Sequence, residues 1–432
     1  MLGALGVAAD PGAAAGLSDC ELDVSTPEQA RVARYALSTS QTGDPMTVIF
    51  LPLGVSRLFA TREDVAASAA SVGVRLLAVD RPGVGGTSPA TARSAAARSS
   101  GGGPEAVEPA PRLETEEETV VVREKLQRAS GSFDEGDGAW WKYSRTVRRR
   151  LWTHSRDVAA VLEALGVDGV KGPKARVVGI CAGSPYALHF VRAFPDLVDA
   201  RHLTLVTPWV SPECPSTWGL ARLASNRWFF GRSFVGSLLG SLQLGVTIPL
   251  LRSLEPAEAL ELLEKKLTDE ERAEVRVARR TARLLAERRA SGDGSAFPWL
   301  LEDGTPTTAD EEEASSRDDE ALGAKALDHL RVNGDAHNVA ALRDDVRVCL
   351  SSLEEIDVKP EDLKVASATV FAADRDELVL PDAAKWLADR LPNSELVIFQ
   401  NASHAGVQTL RRNEWLRAAA NDGEWRPRDH EG

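Results

Sequence analysis

Cysteine is scarce in this chain. Four occur in 432 residues, Cys20, Cys181, Cys214 and Cys349, far apart and in no CxxC pair. Such spacing gives no disulfide framework and no thiolate metal cluster, and makes a reduced, cytoplasmic setting the expectation. Basic charge is short as well: 51 Lys and Arg face 64 Asp and Glu, a formal net charge of −13. Neither nucleic acid nor an anionic lipid surface suits that balance as a main partner. Residues 1–15 hold Asp10 and no basic residue. They lack the charged start and long apolar core of a secretory signal, and the arginines of a transit peptide, so residues 1–30 read as a tail. Long apolar runs are nearly missing too. The charge-free stretch Ser233–Leu251 is interrupted by five Ser, Thr or Gln residues, three glycines and Pro249. A spanning helix needs about 20 mostly apolar residues, so a buried or lid helix is expected over 233–251 rather than membrane contact. No metal-ligand cluster and no dinucleotide-binding glycine fingerprint occurs, so no metal or organic cofactor is expected.

What is present centres on Val177–Gly183, the apolar run V-V-G-I-C-A-G. Gly179-Ile180-Cys181-Ala182-Gly183 has the form glycine, any residue, nucleophile, any residue, glycine, and it feeds the alanine-containing amphipathic stretch Pro185–Phe194. A strand that reverses sharply into a helix pushes its central side chain up at the carboxyl edge of a sheet. Glycine flanks the turn because a Cβ would collide in so tight a bend. The motif predicts an α/β fold and points to covalent catalysis.

The rest of the chain fits a mostly parallel sheet. Val32–Leu37, Thr47–Leu51 and Val74–Val79 read as strands, giving a first core part over 31–89. Residues 90–139 hold Ala, Ser and Gly runs and the acidic cluster Glu114, Glu116, Glu117 and Glu118. That composition buries too little apolar surface to offset chain entropy and reads as a disordered insertion. Core resumes over 140–208, with a helix at Arg148–Leu165, the Cys181 turn and a strand at Leu203–Thr207. No strand pattern appears over 209–345, which reads as a helical cap. Its apolar residues, Phe229, Phe230 and Phe234 among them, suit cap core or a ligand cavity. The last core part, 346–420, has strands at Ala368–Ala372 and Glu395–Phe399, a helix at Ala383–Leu391, a loop at Asn401–Gly406 and a helix from about Val407 to Ala420. Residues 421–432 form a tail. Strands alternating with helices require crossover connections and hence parallel strands.

A thiol needs a base nearby to become the reactive thiolate, and the base needs an orienting group. Cys181 comes first along the chain, an acid after a late strand second (Asp374 or Asp376), and His404 after the final strand third. Nucleophile, acid, histidine is a known triad order on α/β sheets. His154, His189, His202, His329 and His337 lie in helical or cap-edge contexts that suit structural roles. Ser184 falls after the turn, where a capping role is expected. An oxyanion would take the Ala182 N–H and a second donor from the loop after the early strand, Leu53 or Val55, since Pro52 has no N–H.

With these residues placed, the chain resembles the α/β-hydrolase superfamily, in its capped esterase- or lipase-like branch. The resemblance spans about residues 34–88 and 145–412. Asp80-Arg81-Pro82-Gly83 with Gly85-Gly86-Thr87-Ser88 is similar to the family's D-R-P-G-x-G-x-S loop. Gly179–Gly183 resembles its elbow, Asp376-Glu377-Leu378-Val379 its acid motif D-x-x-V, and Ser403-His404 its terminal histidine. The resemblance implies a mostly parallel twisted sheet flanked by helices with a helical cap insertion, Asp376 as the acid, and ester or thioester chemistry. Cysteine replaces the usual serine, as in dienelactone hydrolases and polyhydroxyalkanoate synthases. The early strand ends in Leu51-Pro52 where the family has His-Gly, with Ser56-Arg57-Leu58 restoring the register. Members that use aspartate at the elbow, epoxide hydrolases and dehalogenases, are not matched. Two functions follow: acyl transfer from a small ester or thioester through Cys181, His404 and Asp376, or a binding or scaffold protein that kept the fold without turnover.

Overall fold

Three pairs of neighbouring residues show how the core is built. Val177 and Val178, Val48 and Ile49, and Val370 and Phe371 send alternate side chains into two separate apolar clusters, one on each side of a sheet. Side chains of a strand alternate faces, and strands covered on both faces are apolar throughout. The computed structural model describes residues 18–24, 31–38, 46–51, 55–60, 62–88, 90, 139–167, 173–209, 211–214, 253–278, 323–324, 327 and 339–421. Its strands are β1 (Ser18–Asp23), β2 (Val32–Leu37), β3 (Met46–Phe50), β4 (Arg75–Val79), β5 (Ala175–Ile180), β6 (Val198–Val206), β7 (Ser367–Ala373) and β8 (Ser394–Phe399). They form one 8-stranded sheet in the order β1-β2-β4-β3-β5-β6-β7-β8. β2 runs antiparallel to β1 and β4, and the pairs from β4 to β8 are parallel.

Helices α1 (Ser56–Ala60), α2 (Glu63–Ser71), α3 (Ala139–Ala164), α4 (Ser184–Ala193), α5 (Pro256–Glu264), α6 (269–278), α7 (Val339–Cys349), α8 (Pro381–Ala388), α9 (His404–Thr409) and α10 (Arg412–Ala420) accompany the sheet. α3, α4 and α8 close one face, through Leu151, Leu162, Phe190 and Leu387. α2 and α10 close the other, through Val65, Trp415 and Leu416. This is the α/β-hydrolase fold. β3 is followed by a crossover to β4 on one side, and β5 by a crossover to β6 on the other. The crevice between the carboxyl ends of β3 and β5, where the winding reverses, is where open α/β sheets hold ligands.

Several expectations need correction. Within residues 1–30, read as a tail, Ser18–Asp23 forms β1, paired along its whole length with β2 and tied by Arg34 to Glu21 at 2.6 Å. α3 begins at Ala139, nine residues before the expected Arg148, and β6 begins at Val198 rather than Leu203. The terminal helix is two helices. α9 starts at His404 itself, because Ser403 Oγ accepts the Gly406 N–H at 3.0 Å and caps it. The boundary drawn at residue 345 falls inside α7, whose Ala341 packs with Val55 and Val84 and whose Val348 joins the core. Residues 91–138, 215–252 and 279–322 lie outside the described residues, and with them the acidic insertion, the 233–251 stretch and Phe229, Phe230 and Phe234. Among the described residues no helix is long and apolar enough to cross a membrane, and the described part of 209–345 contains no strand.

Candidate active site

At the end of β5 the backbone leaves the extended region and Cys181 takes a φ of 46°. A positive φ costs a non-glycine residue about 1–3 kcal/mol and persists only when its surroundings enforce it. Here the flanking glycines do so. A Cβ on Gly183 would lie 2.2 Å from the Phe50 carbonyl oxygen and 2.7 Å from the Leu51 nitrogen. A Cβ on Gly179 would lie 2.8 Å from Ala187 Cβ and 2.9 Å from Leu205. The turn therefore presses against the end of β3 and against its own following helix. The Cys181 carbonyl accepts the Trp209 N–H at 3.0 Å and the Ser184 N–H. Ser184 itself does not cap. Gly183 before it is already helical, and the Ser184 hydroxyl is buried without a partner among the described residues.

Three residues far apart in the chain meet at this edge. Asp376, three residues past β7, is 3% exposed. Its Oδ1 accepts the backbone N–H groups of Leu378 at 2.8 Å and Val379 at 2.7 Å, and its Oδ2 stands 2.6 Å from His404 Nδ1. Cys181 is near enough to His404 to act on its charge. Burial alone would lower the imidazole pKa. The proximity of Cys181, the hydrogen bond to Asp376 and the Asp376 charge outweigh burial and push it up to about 10. The alternative acid Asp374 is turned elsewhere: its Oδ1 accepts the Ala402 N–H at 3.0 Å, fastening the loop that precedes His404.

Gln408 was not foreseen. One helical turn on from His404, it shares that residue's helix face. Its amide nitrogen lies 2.9 Å from His404 Nε2 and 2.8 Å from Thr207 Oγ1, at the end of β6. An amide N–H suits a neutral ring there; turned over, its oxygen suits an imidazolium, and the Thr207 hydroxyl serves either way. Spacing of four residues was the signal in the sequence, but polar residues four apart on helices are common.

The oxyanion donors are partly placed. Ala182 follows the sulfur in the 3-10 turn Cys181–Gly183. Leu53 lies outside the described residues, and Val55 is buried against Val84 and Ala341. Where the family carries His-Gly, the strand exit is held differently: Arg81 donates to the Leu51 carbonyl at 2.8 Å and pairs with Asp345 at 3.0 Å. Asp345 also takes Arg150 at 2.7 Å and the Tyr186 hydroxyl at 2.5 Å. Burial opposes its charge, yet Arg150 and Arg81 hold its pKa well below the usual carboxylate range. The D-R-P-G segment is braced likewise, Asp80 meeting Arg57 at 2.6 Å while Arg57 reaches the Gly85 carbonyl at 2.7 Å.

Other histidines sit in packing. His154 lies edge-on to Phe50 and Tyr186, and His189 bonds Ser155 and is driven by burial to a pKa of about 3. His202 bonds Ser367. His329, His337 and His430 lie outside the described residues. Among the described residues no group of three or more His, Cys, Asp or Glu could hold a metal ion.

No protein-family model matches the chain, and no curated protein matches it in sequence. Among solved structures it is similar to an α/β-hydrolase fold protein from Nakamurella multipartita, at 16% identity and a TM-score of 0.43, over 92% of this chain and 99% of that one. It is similar also to the enol-lactonase from Burkholderia xenovorans LB400, at 12% identity and 0.42, over 91% and 96%. An esterase from Exiguobacterium antarcticum gives 11% identity and 0.44, over 90% and 96%. Likeness this distant carries no argument about activity. The fold assignment rests on the strand order and the elbow.

Proposed function

We propose that this chain transfers acyl groups from an ester or thioester through Cys181, with His404 as base and Asp376 orienting it. One observation carries the reading: the buried Asp376–His404 hydrogen bond at the sheet's carboxyl edge, with Cys181 near enough to His404 to act on its charge. His404 Nε2 takes the thiol proton and the sulfur attacks the carbonyl carbon. The oxyanion is held by the Ala182 N–H and by a donor from the 53–55 loop, Leu53 or Val55. The imidazolium then protonates the departing alcohol or thiol. Water, deprotonated by His404, hydrolyses the thioester between Cys181 and the acyl group. The region between β6 and α7 is the proposed cap, selecting an apolar acyl group or small ester; a small-molecule substrate and a cytoplasmic setting belong to the same proposal. The test is turnover of p-nitrophenyl esters of increasing chain length by the wild type, Cys181→Ala and Cys181→Ser. Loss of turnover in the alanine form supports the reading, and equal rates in all three proteins refute it.

A second reading, a ligand-binding or scaffold protein without turnover, is favoured by Gln408. Its amide nitrogen stands 2.9 Å from the atom the thiol proton must reach. Iodoacetamide labelling at neutral pH separates the two. Labelling of Cys181 that slows in His404→Ala supports the enzyme, and labelling indifferent to His404 supports the binding protein.

A further inference from the structure

The segment entering α6 touches the histidine loop at several points, and one of its side chains is out of place on a surface helix. Glu271 is 3% exposed. No cation among the described residues pairs with it. A buried carboxylate survives only when its lone pairs are filled, and here donors fill them. Glu271 Oε1 accepts the Ser403 N–H at 2.9 Å, and Oε2 accepts the Ser403 hydroxyl at 2.6 Å and the Thr268 N–H at 2.8 Å. Thr268 returns the bond through its Oγ1 to the Glu271 N–H at 3.2 Å, the reciprocal capping of a helix start. Ser403 is the cap of α9, and the first residue of α9 is His404.

We propose that Glu271 is a positioning residue for His404, fixing through Ser403 the start of the helix that carries the imidazole. The proposal rests on the catalytic reading above and extends it into the region between β6 and β7. Three further contacts make the same segment a clamp. Thr268 Oγ1 donates to the Asn401 carbonyl at 3.0 Å, Glu270 meets Arg375 at 3.4 Å beside the acid loop, and Glu274 meets Arg411 at 3.0 Å beyond α9. Gly406 is the complementary half of the contact, for a Cβ there would lie 1.5 Å from Glu271 Oε1. Both carboxylate oxygens accept backbone or hydroxyl donors, so an amide cannot replace the acid: whichever end its nitrogen takes, it faces an N–H group. The Cys181–His404 geometry is thereby coupled to the docking of α6.

The test compares wild type, Glu271→Gln, Ser403→Ala and the double variant, by ester turnover and by iodoacetamide labelling of Cys181 at neutral pH. A misplacement near 1 Å costs about 100-fold in rate. The expected result is a fall in kcat of about 10- to 100-fold with KM within about twofold, and labelling slowed toward that of His404→Ala. The two substitutions should be non-additive, the double variant losing little more than either alone. Circular dichroism and thermal melting identify a variant that has lost the fold; Ser403→Ala, which keeps the carboxylate, then carries the comparison. Wild-type kcat and labelling in folded Glu271→Gln and Ser403→Ala overturn the proposal while leaving the catalytic reading intact. If wild-type turnover and His404-dependent labelling are both absent, the catalytic reading fails first and this proposal with it.

Discussion

Replacing Asp376 by asparagine should abolish turnover without unfolding the protein, and the reason lies in two backbone bonds. Asp376 Oδ1 accepts from Leu378 and Val379, and Oδ2 faces His404 Nδ1 at 2.6 Å. An asparagine must keep an oxygen at the first position. Turned the other way, its amide nitrogen would point at two N–H groups and orphan both, at about 1–3 kcal/mol each. The amide nitrogen is therefore aimed at His404 Nδ1, which can then only accept. The ring proton moves to Nε2, the atom that must be bare to receive the proton of Cys181. A wrong tautomer in a triad costs about 10⁴ in kcat, which is about 5.5 kcal/mol of transition-state stabilisation. The two backbone bonds survive, so the loop keeps its fold, while loss of the Asp376 charge beside His404 costs about 1–3 kcal/mol of stability. Ester turnover and denaturant unfolding of Asp376→Asn, with Asp376→Ala as the variant that does orphan the N–H groups, measure both quantities. An Asp376→Asn enzyme within tenfold of the wild-type rate would refute the argument.

Two further predictions concern the same edge. The raised pKa of His404 contributes stability that is complete below its ordinary value of 6.5 and gone once pH passes about 10. The loss spans roughly pH 6.5–10, at about 1.4 kcal/mol per pH unit; denaturant midpoints should fall there in the wild type and stay level in His404→Gln, and a level wild-type profile would count against a raised His404 pKa. Gly183→Ala should be destabilised by about 3 kcal/mol or more, the upper end for overpacking, because the atoms 2.2 Å and 2.7 Å away are backbone of Phe50 and Leu51 and cannot swing aside. Gly166→Ala, with a φ of 80° but open space around it, bears only the conformational cost of about 1–2 kcal/mol; equal midpoints for the two variants would show that the elbow is not pressed against β3.

The elbow was legible because its constraint is local. Two glycines, a nucleophile between them and an apolar run in front specify a bend that few other sequences tolerate, and the close contacts of Gly179 and Gly183 are the physical form of that pattern. The buried strands were legible for a similar reason, since a strand apolar on both faces declares itself in five or six residues. β1 was not, because its alternation is confined to Cys20 and Leu22 between Asp19, Glu21 and Asp23, too short and too acidic to stand out; its extended form comes from pairing with β2, a contact made across the chain. Asp374 and Asp376 could be ranked by family pattern but not by residue chemistry. What separates them is the course of the backbone after β7. Asp374 still pairs with β8 through its N–H to the Phe399 carbonyl at 3.1 Å, which leaves its carboxylate beside Ala402, whereas Asp376 lies past the turn and reaches the imidazole. Glu271 and Gln408 were the hardest to read. One is 132 residues from the serine it holds, and the other is an ordinary helix residue until β6 brings Thr207 beside it. Residues that bear the chemistry announce themselves by type and local turn. Residues that aim them are set by tertiary approach, so candidate site residues can be read from a sequence before the groups that orient them.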